Sequence, residues 1–378
     1  MIQRKVGRSL CGIGCAALTL GLLVSGSVLA TNAGASKAPP STFKFSWGTF
    51  HVASRIEKNI RAHKALNFDM SYQAVSEAGA PAELRAGLSR GAAWVKKTYG
   101  VTINVKLIGS TNTTAPAQIS QITSLVSAGE LTCVGVEPIT PGAFEKVINS
   151  TMSAGVPVMT VNTDSPPSHR IAYYGVDDTT PKSPLWTGRV AGEYTVSWAK
   201  KHHIVLRSAA LVTGTTSAPW AQGRMKGWEE VVKSAFPHIK IVGTPTDALT
   251  TGYTPSPITS DMSAFMTGHP TVQFYFDSDW GAAEIGGLIA SRGLKGKVFT
   301  LGYNVNSTYI KDLRAGDIIG TVDQRYDLQA ENFVKGCASM LLAGKVPSPH
   351  QYIDPSIWTP TNVKAAVALY KSIPGSLT

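Results

Sequence analysis

The chain has 378 residues, of which 43% are hydrophobic and 16% charged, and its formal net charge is +11. One ordinary domain takes about 150 residues, so this length predicts two domains with packed cores. The basic residues are scattered as singles and short pairs along the chain. A nucleic-acid-binding surface needs a concentrated basic patch, so we expect no nucleic-acid partner.

The N-terminus has the features of an export signal. Arg4, Lys5 and Arg8 precede an apolar run over residues 10–30 that ends in small residues. A membrane anchor is the rival interpretation, because about 20 apolar residues can span a bilayer. Glycine and serine residues dilute this run, so we predict that residues 1–35 are a cleavable signal peptide and that the mature protein is periplasmic.

Four cysteines bear on the redox state of the fold. Cys11 and Cys15 leave with the leader, and Cys133 and Cys337 remain. Two thiols in so long a chain do not form a disulfide framework, and Cys133 lies in an apolar run typical of a core strand. We therefore predict two buried thiols and a fold that does not depend on a disulfide.

The first half of the mature chain alternates short apolar runs with amphipathic stretches. The pattern predicts strands at 66–72, 101–108, 131–136 and 156–161, with helices at 82–99, 117–128 and 143–154. Nearly continuous apolar strands between helices are typical of a parallel sheet covered on both faces. This half therefore predicts one doubly wound α/β lobe.

The same alternation then begins again. The predicted helices are 185–201, 221–236, 258–267, 282–292, 309–315 and 328–342, and the strands are 209–213, 239–242, 272–277, 298–303 and 318–322. Residues 247–257, rich in threonine, glycine and proline, are expected to be a long loop, and residues 43–63 have no assignment. Two successive sets predict a second parallel-sheet lobe, with any ligand outside the carboxyl ends of the strands.

Several segments in this order resemble one family. They are QISQITSLVSAGELTCVGVEPITPGAFEKVINSTMSAGVPVMTVNTD, RIAYYGVDD, ALVTGTTSAPWAQGRMKGW, VQFYFDSDWGAAEIGGLIA, VFTLGYN and GTVDQRYDLQAENFVKG. Over residues 66–363 the chain resembles the type I periplasmic sugar-binding proteins of ABC transporters, the ribose-binding-like group. No single motif is specific to that group, but the ordered series is.

The resemblance implies two lobes joined by a hinge of three crossovers, near Asp177, Gln324 and Val346. The first lobe would comprise residues 66–177 and 325–347. The second would comprise residues 178–324 and 348–378.

Polar residues follow several of the predicted strands. A sugar needs such partners, because a buried hydroxyl without one costs about 1–3 kcal/mol. The strand-end candidates for ligand binding are Asn162, Asp164, Asp279, Asn304 and Gln324. Gln222 is added by the resemblance, which makes the neighbouring Arg224 structural. For each of them the alternative is a turn or cap residue at a strand end.

This chain departs from the family pattern at the site. Asn162 and Asn304 stand where the family usually has Asp, and Asp279 stands where it has Asn. The first loop of the family often reads Asn-Pro followed by two aromatics, whereas this chain has Glu-Leu-Arg at 83–85. We keep Arg85 of that stretch as a candidate, and Trp220 or Trp280 could supply the missing aromatic face.

Other motifs do not indicate chemistry. Gly87–Gly91 matches G-x-S-x-G but lies inside a predicted helix, where a nucleophile elbow cannot form. His202 and His203 lack the spacing of a zinc pair, and the Asp177–Asp178 pair is expected to cap the next segment. No phosphate-binding glycine motif follows a strand. We expect no enzyme, no cofactor and no metal.

The sequence therefore predicts a solute-binding protein of an ABC importer, monomeric, with a membrane permease as partner and a sugar or polyol as ligand. The alternative is a periplasmic sensor whose closed form docks on a receptor kinase or chemoreceptor. An exported hydrolase would need a nucleophile or acid pair in the cleft. A transcription regulator is disfavoured by the export signal.

Overall fold

The computed structural model describes residues 40–73, 75, 79–109, 114–184 and 186–377. The predicted signal peptide lies outside these residues. The remaining chain forms two parallel-sheet lobes, as the sequence predicts.

The first lobe contains β1 to β7 and α1 to α4. Its elements are β1 (Thr42–Phe45), β2 (Gly48–His51), α1 (Ser54–Arg61), β3 (Leu66–Ser71), α2 (Ala80–Tyr99), β4 (Ile103–Ile108), α3 (Ala115–Ser127), β5 (Cys133–Val136), α4 (Glu145–Ser153), β6 (Val158–Val161) and β7 (Tyr173–Gly175). A single 3-10 turn, Pro141–Phe144, leads into α4.

The second lobe follows, with two later elements that return to the first. The elements are α5 (Thr187–Lys201), β8 (Ser208–Thr213), α6 (Pro219–Ala235), β9 (Lys240–Val242), β10 (Leu249–Thr250), α7 (Pro255–Gly268), β11 (Phe274–Asp277), α8 (Ala282–Ser291), β12 (Phe299–Tyr303), α9 (Ser307–Ala315), β13 (Gly320–Asp323), α10 (Tyr326–Ala343), β14 (His350–Tyr352), β15 (Ser356–Trp358) and α11 (Val363–Lys371). The predicted loop over 247–257 contains β10 and the start of α7.

The two sheets have closely related strand orders. The first is β14-β7-β6-β5-β3-β4, with every pair parallel. In the second, β9 and β10 both lie along β8, which is followed by β11, β12, β13 and the antiparallel β15. Because these strands are parallel, the carboxyl ends of β3, β5 and β6 lie at one edge of the first sheet. Those of β11, β12 and β13 lie at one edge of the second sheet.

Three segments pass between the sheets. The chain leaves the first sheet after Gly175 and returns after Asp323, because α10 packs against α2 of the first lobe. The third passage was expected near Val346. It lies instead between Tyr352 and Ser356, because β14 pairs with β7 and extends the first sheet. His350–Tyr352, which the sequence placed in the second lobe, thus belong to the first sheet.

The unassigned residues at the N-terminus are part of the first lobe. β1 and β2 form an antiparallel hairpin, and α1 follows it. Phe43, Phe50, Val52 and Ile56 are buried in the same hydrophobic core as β3, β5 and α10. This segment therefore buries part of the first-lobe core that a lobe beginning at residue 66 would leave exposed to solvent.

The residues that match G-x-S-x-G lie inside helix α2, as the sequence predicts, and their glycines contact helix α10. A Cβ atom on Gly87 would lie 2.1 Å from the carbonyl oxygen of Asp327, and one on Gly91 would lie 2.6 Å from Cβ of Val334. Only glycine allows α10 to approach this closely. The two glycines fix helix packing rather than a nucleophile.

The prediction of two free thiols is wrong. Cys133, at the start of β5, and Cys337, on α10, form a disulfide bond that joins residues 204 apart in sequence. Both are fully buried, as the apolar context indicates. The sequence could not reveal the pairing, because Cys337 returns to the first lobe only after strands β8 to β13 of the second sheet.

Candidate ligand-binding site

The centre of the candidate site is a buried arginine on α6. Arg224 is only 3% exposed, and its guanidinium donates to Asp178 Oδ2 at 2.6 Å and Gln324 Oε1 at 2.6 Å. It also donates to the carbonyl oxygen of Ser278 at 3.0 Å. Asp178 follows the first passage between the lobes and Gln324 begins the second. One side chain therefore ties both passages together.

Aromatic rings enclose this cation. The Cζ atom of Arg224 lies 4.5 Å from the ring centroid of Trp220 and 4.3 Å from that of Tyr303. Burial by itself would lower the pKa of Arg224, but the Asp178 carboxylate outweighs that effect and raises it. Burial likewise raises the pKa of the Tyr303 hydroxyl. Arg224 thus stays charged and Tyr303 stays neutral.

A chain of hydrogen bonds continues from Arg224 toward the first lobe. Gln324 Nε2 donates to Asn304 Oδ1 at 2.7 Å and to the hydroxyl oxygen of Tyr326 at 3.1 Å. The ring of Tyr326 lies edge-on to Tyr72, which follows β3, with centroids 6.4 Å apart. The polar network of the second lobe therefore reaches an aromatic residue at the carboxyl edge of the first sheet.

Two asparagines occupy matching positions in the two lobes. Asn162 follows β6 with φ 61° and Asn304 follows β12 with φ 69°, both left-handed. The Asn162 N–H donates to the carbonyl oxygen of Tyr174, and the Asn304 N–H donates to that of Val322, each at 2.8 Å. Asparagine tolerates this conformation better than most residues. The Nδ2 atom of Asn162 donates to Glu137, which follows β5, at 2.5 Å.

The lobes also meet at the loop after β11. Asp279 is buried there, and its carbonyl oxygen accepts from the Tyr303 N–H at 3.0 Å. The next residue, Trp280, packs against the core of the first lobe. A Cβ atom on Gly79 would lie 3.5 Å from the Trp280 ring and 3.1 Å from the carbonyl oxygen of Val305. Gly79, with φ 86°, has little room for any side chain.

Three candidates from the sequence are engaged elsewhere. Arg85 lies on the exposed side of α2. Arg170 pairs with the Asp164 carboxylate through two guanidinium nitrogens. Gln222 Nε2 donates to the carbonyl oxygen of Thr216 at 2.7 Å, within the loop before α6. The structure thus brings Trp220, Asp279, Asn304 and Gln324 close to Arg224, whereas Arg85 is exposed and Asp164 and Gln222 are bonded to other residues.

Two residues of this arrangement, Asp178 and Glu137, are not among the candidates that the sequence predicts. Asp177 caps the following turn as expected, since its Oδ1 accepts from the N–H groups of Thr179 and Thr180. Its neighbour Asp178 instead pairs with Arg224, and Glu137 binds Asn162. Glu137 could have been predicted as a site residue, because it directly follows an apolar strand. No feature of the sequence pointed to Asp178.

A buried carboxyl group lies behind the site. Asp277 ends β11, and burial raises its pKa to about 7, against the opposing backbone N–H bond from Asp279. Nearby Glu284 adds to the rise. Burial also raises the pKa of Glu284 itself, so this pocket disfavours negative charge.

A cavity of about 500 Å³ lies at the opposite edge of the second sheet. Its lining includes Trp198, Lys201, Lys295, Phe299 and Ile318. Phe299 begins β12 and Ile318 precedes β13, so the cavity is at the amino ends of the strands. It is separate from the Arg224 network, which lies at their carboxyl ends.

Neither a membrane-spanning helix nor a metal cluster is found in the described part of the chain. No helix there has the length and apolar character needed to cross a membrane. Among the same described residues, no group of three or more His, Cys, Asp or Glu side chains could hold a metal ion.

Comparison with known proteins identifies the class. The family described as the periplasmic binding protein domain matches residues 82–345, which is most of the chain. The protein therefore belongs to that family, whose members are binding proteins and not enzymes.

The chain is also similar to individual proteins. The xylose/arabinose-binding protein XylF of Sulfolobus acidocaldarius is 25% identical over 239 residues, which are 60% of this chain and 56% of that protein. The glucose-galactose binding protein GanP of Geobacillus stearothermophilus shares the fold, with a TM-score of 0.66, 21% identity, and 79% of this chain and 99% of that chain covered. A XylFII–LytSN complex gives a TM-score of 0.63 at 18% identity, over 79% of this chain and 98% of that one.

Proposed function

We propose that the protein binds a neutral sugar or polyol between its two lobes and delivers it to the membrane permease of an ABC importer. The observation that carries the proposal is the buried network of Asp178, Arg224, Gln324 and Asn304. It lies where the carboxyl ends of the second sheet meet the first lobe. The charges of Arg224 and Asp178 offset each other, so the remaining amides suit uncharged hydroxyl groups.

The wider ligand set comprises Asn162, Trp220, Gln222, Asp279, Asn304 and Gln324. Trp220 lies over Arg224, and its ring offers a face of the kind that covers the apolar side of a sugar. Arg85 and Asp164 are weaker members of the set, because the first is exposed and the second is held by Arg170. Relatives named for xylose, arabinose, glucose and galactose support this class of ligand.

We propose that the ligand is enclosed by rotation of the lobes about the three connecting segments. Arg224 joins two of these segments, so it would transmit the lobe angle to the ligand groups. Delivery to a permease would follow from recognition of the closed lobe faces. We also propose export by the signal peptide at 1–35 and a periplasmic location. A buried disulfide favours an oxidising compartment.

A sensory function is the second candidate. A complex of XylFII with LytSN shares the fold of this chain. In that function the closed form would dock on a sensor protein instead of a permease. The ligand site would be the same in both cases.

The test is a ligand screen followed by one substitution. Calorimetry with D-xylose, L-arabinose, D-ribose, D-allose, D-glucose, D-galactose and common polyols should identify a ligand. Asp279→Ala should then weaken binding about 10- to 150-fold, because it removes a charged hydrogen-bonding partner worth roughly 1.5–3 kcal/mol. The exposed Asp261 on α7 provides the control Asp261→Ala, which should bind normally. Equal affinity in both variants would show that Asp279 is only a loop residue.

A further inference from the structure

Arg224 sets the direction of the hydrogen bonds that Gln324 and Asn304 make with each other. A guanidinium has donors only, so the amide of Gln324 must turn its oxygen toward Arg224. The Gln324 nitrogen then faces Asn304 and donates to Oδ1. Asn304 therefore keeps its nitrogen, Nδ2, for another partner.

That nitrogen is buried. Asn304 is 3% exposed, and its Nδ2 atom has no hydrogen-bond partner among the described residues. A buried donor left unpaired costs about 1–3 kcal/mol, so the site favours an acceptor at this point.

The matching asparagine of the first lobe has the reverse polarity. The Glu137 carboxylate accepts from Asn162 Nδ2, so Asn162 keeps its oxygen. That Oδ1 atom is also buried without a partner among the residues the structure describes. The two asparagines therefore present opposite groups, although they occupy equivalent left-handed positions after β6 and β12.

We infer that Glu137 and the Arg224–Gln324 pair set Asn162 and Asn304 to opposite hydrogen-bonding polarity. The cleft would thereby select a polyhydroxylated ligand that gives a hydroxyl donor to Asn162 and an acceptor oxygen to Asn304. A ring, ether or carbonyl oxygen satisfies Asn304 as well as a hydroxyl does, whereas only a donor satisfies Asn162. Aspartates at both positions would accept from the ligand on both sides. The inference rests on the proposed function, since it assigns the polarity of the same cleft.

Fluorinated sugars test the polarity directly, because fluorine can accept a hydrogen bond but never donates one. The probe is the tightest-binding sugar of the panel D-xylose, L-arabinose, D-ribose, D-allose, D-glucose and D-galactose, with each hydroxyl in turn replaced by fluorine. Calorimetry should reveal one position where fluorine costs little and another where it costs roughly 10- to 100-fold in Kd. The first would be the group at Asn304 and the second the group at Asn162.

The Gln324→Glu variant should change that pattern. Its carboxylate has no donor, so Asn304 must turn its nitrogen toward residue 324 and its oxygen toward the ligand. Replacing the hydroxyl with fluorine should then weaken binding at both positions. Gln351→Glu, with the same change on β14 of the first sheet, is the control and should keep the original pattern.

The outcomes separate the two proposals. If none of the six sugars binds, the proposed function fails, and the inference fails with it. If a sugar binds but fluorine is tolerated or refused alike at every position, the polarity inference is overturned and the function stands. The polarity inference is also overturned if Gln324→Glu leaves the fluorine pattern unchanged while the variant still binds the parent sugar.

Discussion

The Cys133–Cys337 disulfide should be a main source of stability. The bond closes a loop with 204 residues of sequence separation, which includes every strand from β6 to β13. In the unfolded chain, closing a loop of that size removes conformational entropy equivalent to about 5 kcal/mol at 25 °C. For a cooperative unit larger than 250 residues, this corresponds to a fall in Tm on the order of 10 °C when the bond is cut.

Binding should survive the loss of the bond. Cys133 is the first residue of β5, and Glu137 follows the carboxyl end of that strand. Four residues of strand span roughly 13 Å, so the disulfide is remote from the candidate site. The helix contact of α10 with α2, close at Gly87 and Gly91, also holds the returning segment in place without it.

The assay compares oxidised protein, reduced protein and the variant Cys133→Ala/Cys337→Ala by calorimetry. Reduction keeps both sulfur atoms in the core, so it isolates the effect of the crosslink from that of lost packing. Reductant should lower the Tm of the native protein and leave that of the variant unchanged. An equal Tm with and without reductant, or two thiols that alkylate in denaturant before reduction, would refute the argument.

Two buried acids should each make stability fall as pH rises, so neutralising either one should reduce that fall. Burial, with the nearby Asp323 carboxylate, raises the pKa of Glu83 well above its usual range, so the folded state prefers the neutral form and loses stability as pH rises above about 4.5. Glu83→Gln should flatten urea-measured stability between about pH 5 and 8, and a steeper slope in the variant would contradict this. Asp277, with a pKa of about 7, should oppose folding increasingly from about pH 4 to 7, by up to roughly 4 kcal/mol. Asp277→Asn retains an acceptor for the Asp279 N–H and should therefore be more stable than the native protein at pH 8 and not at pH 4; equal stability at both would show that the carboxyl is solvated.

Part of the candidate site could be predicted from the sequence. Asn304 and Gln324 each follow a strand of the second lobe, and parallel strands place their carboxyl ends at one edge. Their direct contact follows from that arrangement. The resemblance predicts a structural role for Arg224, which stays a prediction. Its partner Asp178 could not be predicted, because the pair is 46 residues apart and meets only through the connection between lobes.

The sequence by itself determined the alternation of strands and helices, since the period of apolar residues depends only on local geometry. It also determined that two parallel-sheet lobes form and that polar residues follow their strands. Only the tertiary structure decided which distant residues meet. The disulfide, the pairing of β14 with β7 and the opposite polarity of Asn162 and Asn304 all depend on where the chain returns. Local patterns carry no information about that return, because distant partners such as Cys133 and Cys337 are brought together by packing of the whole fold.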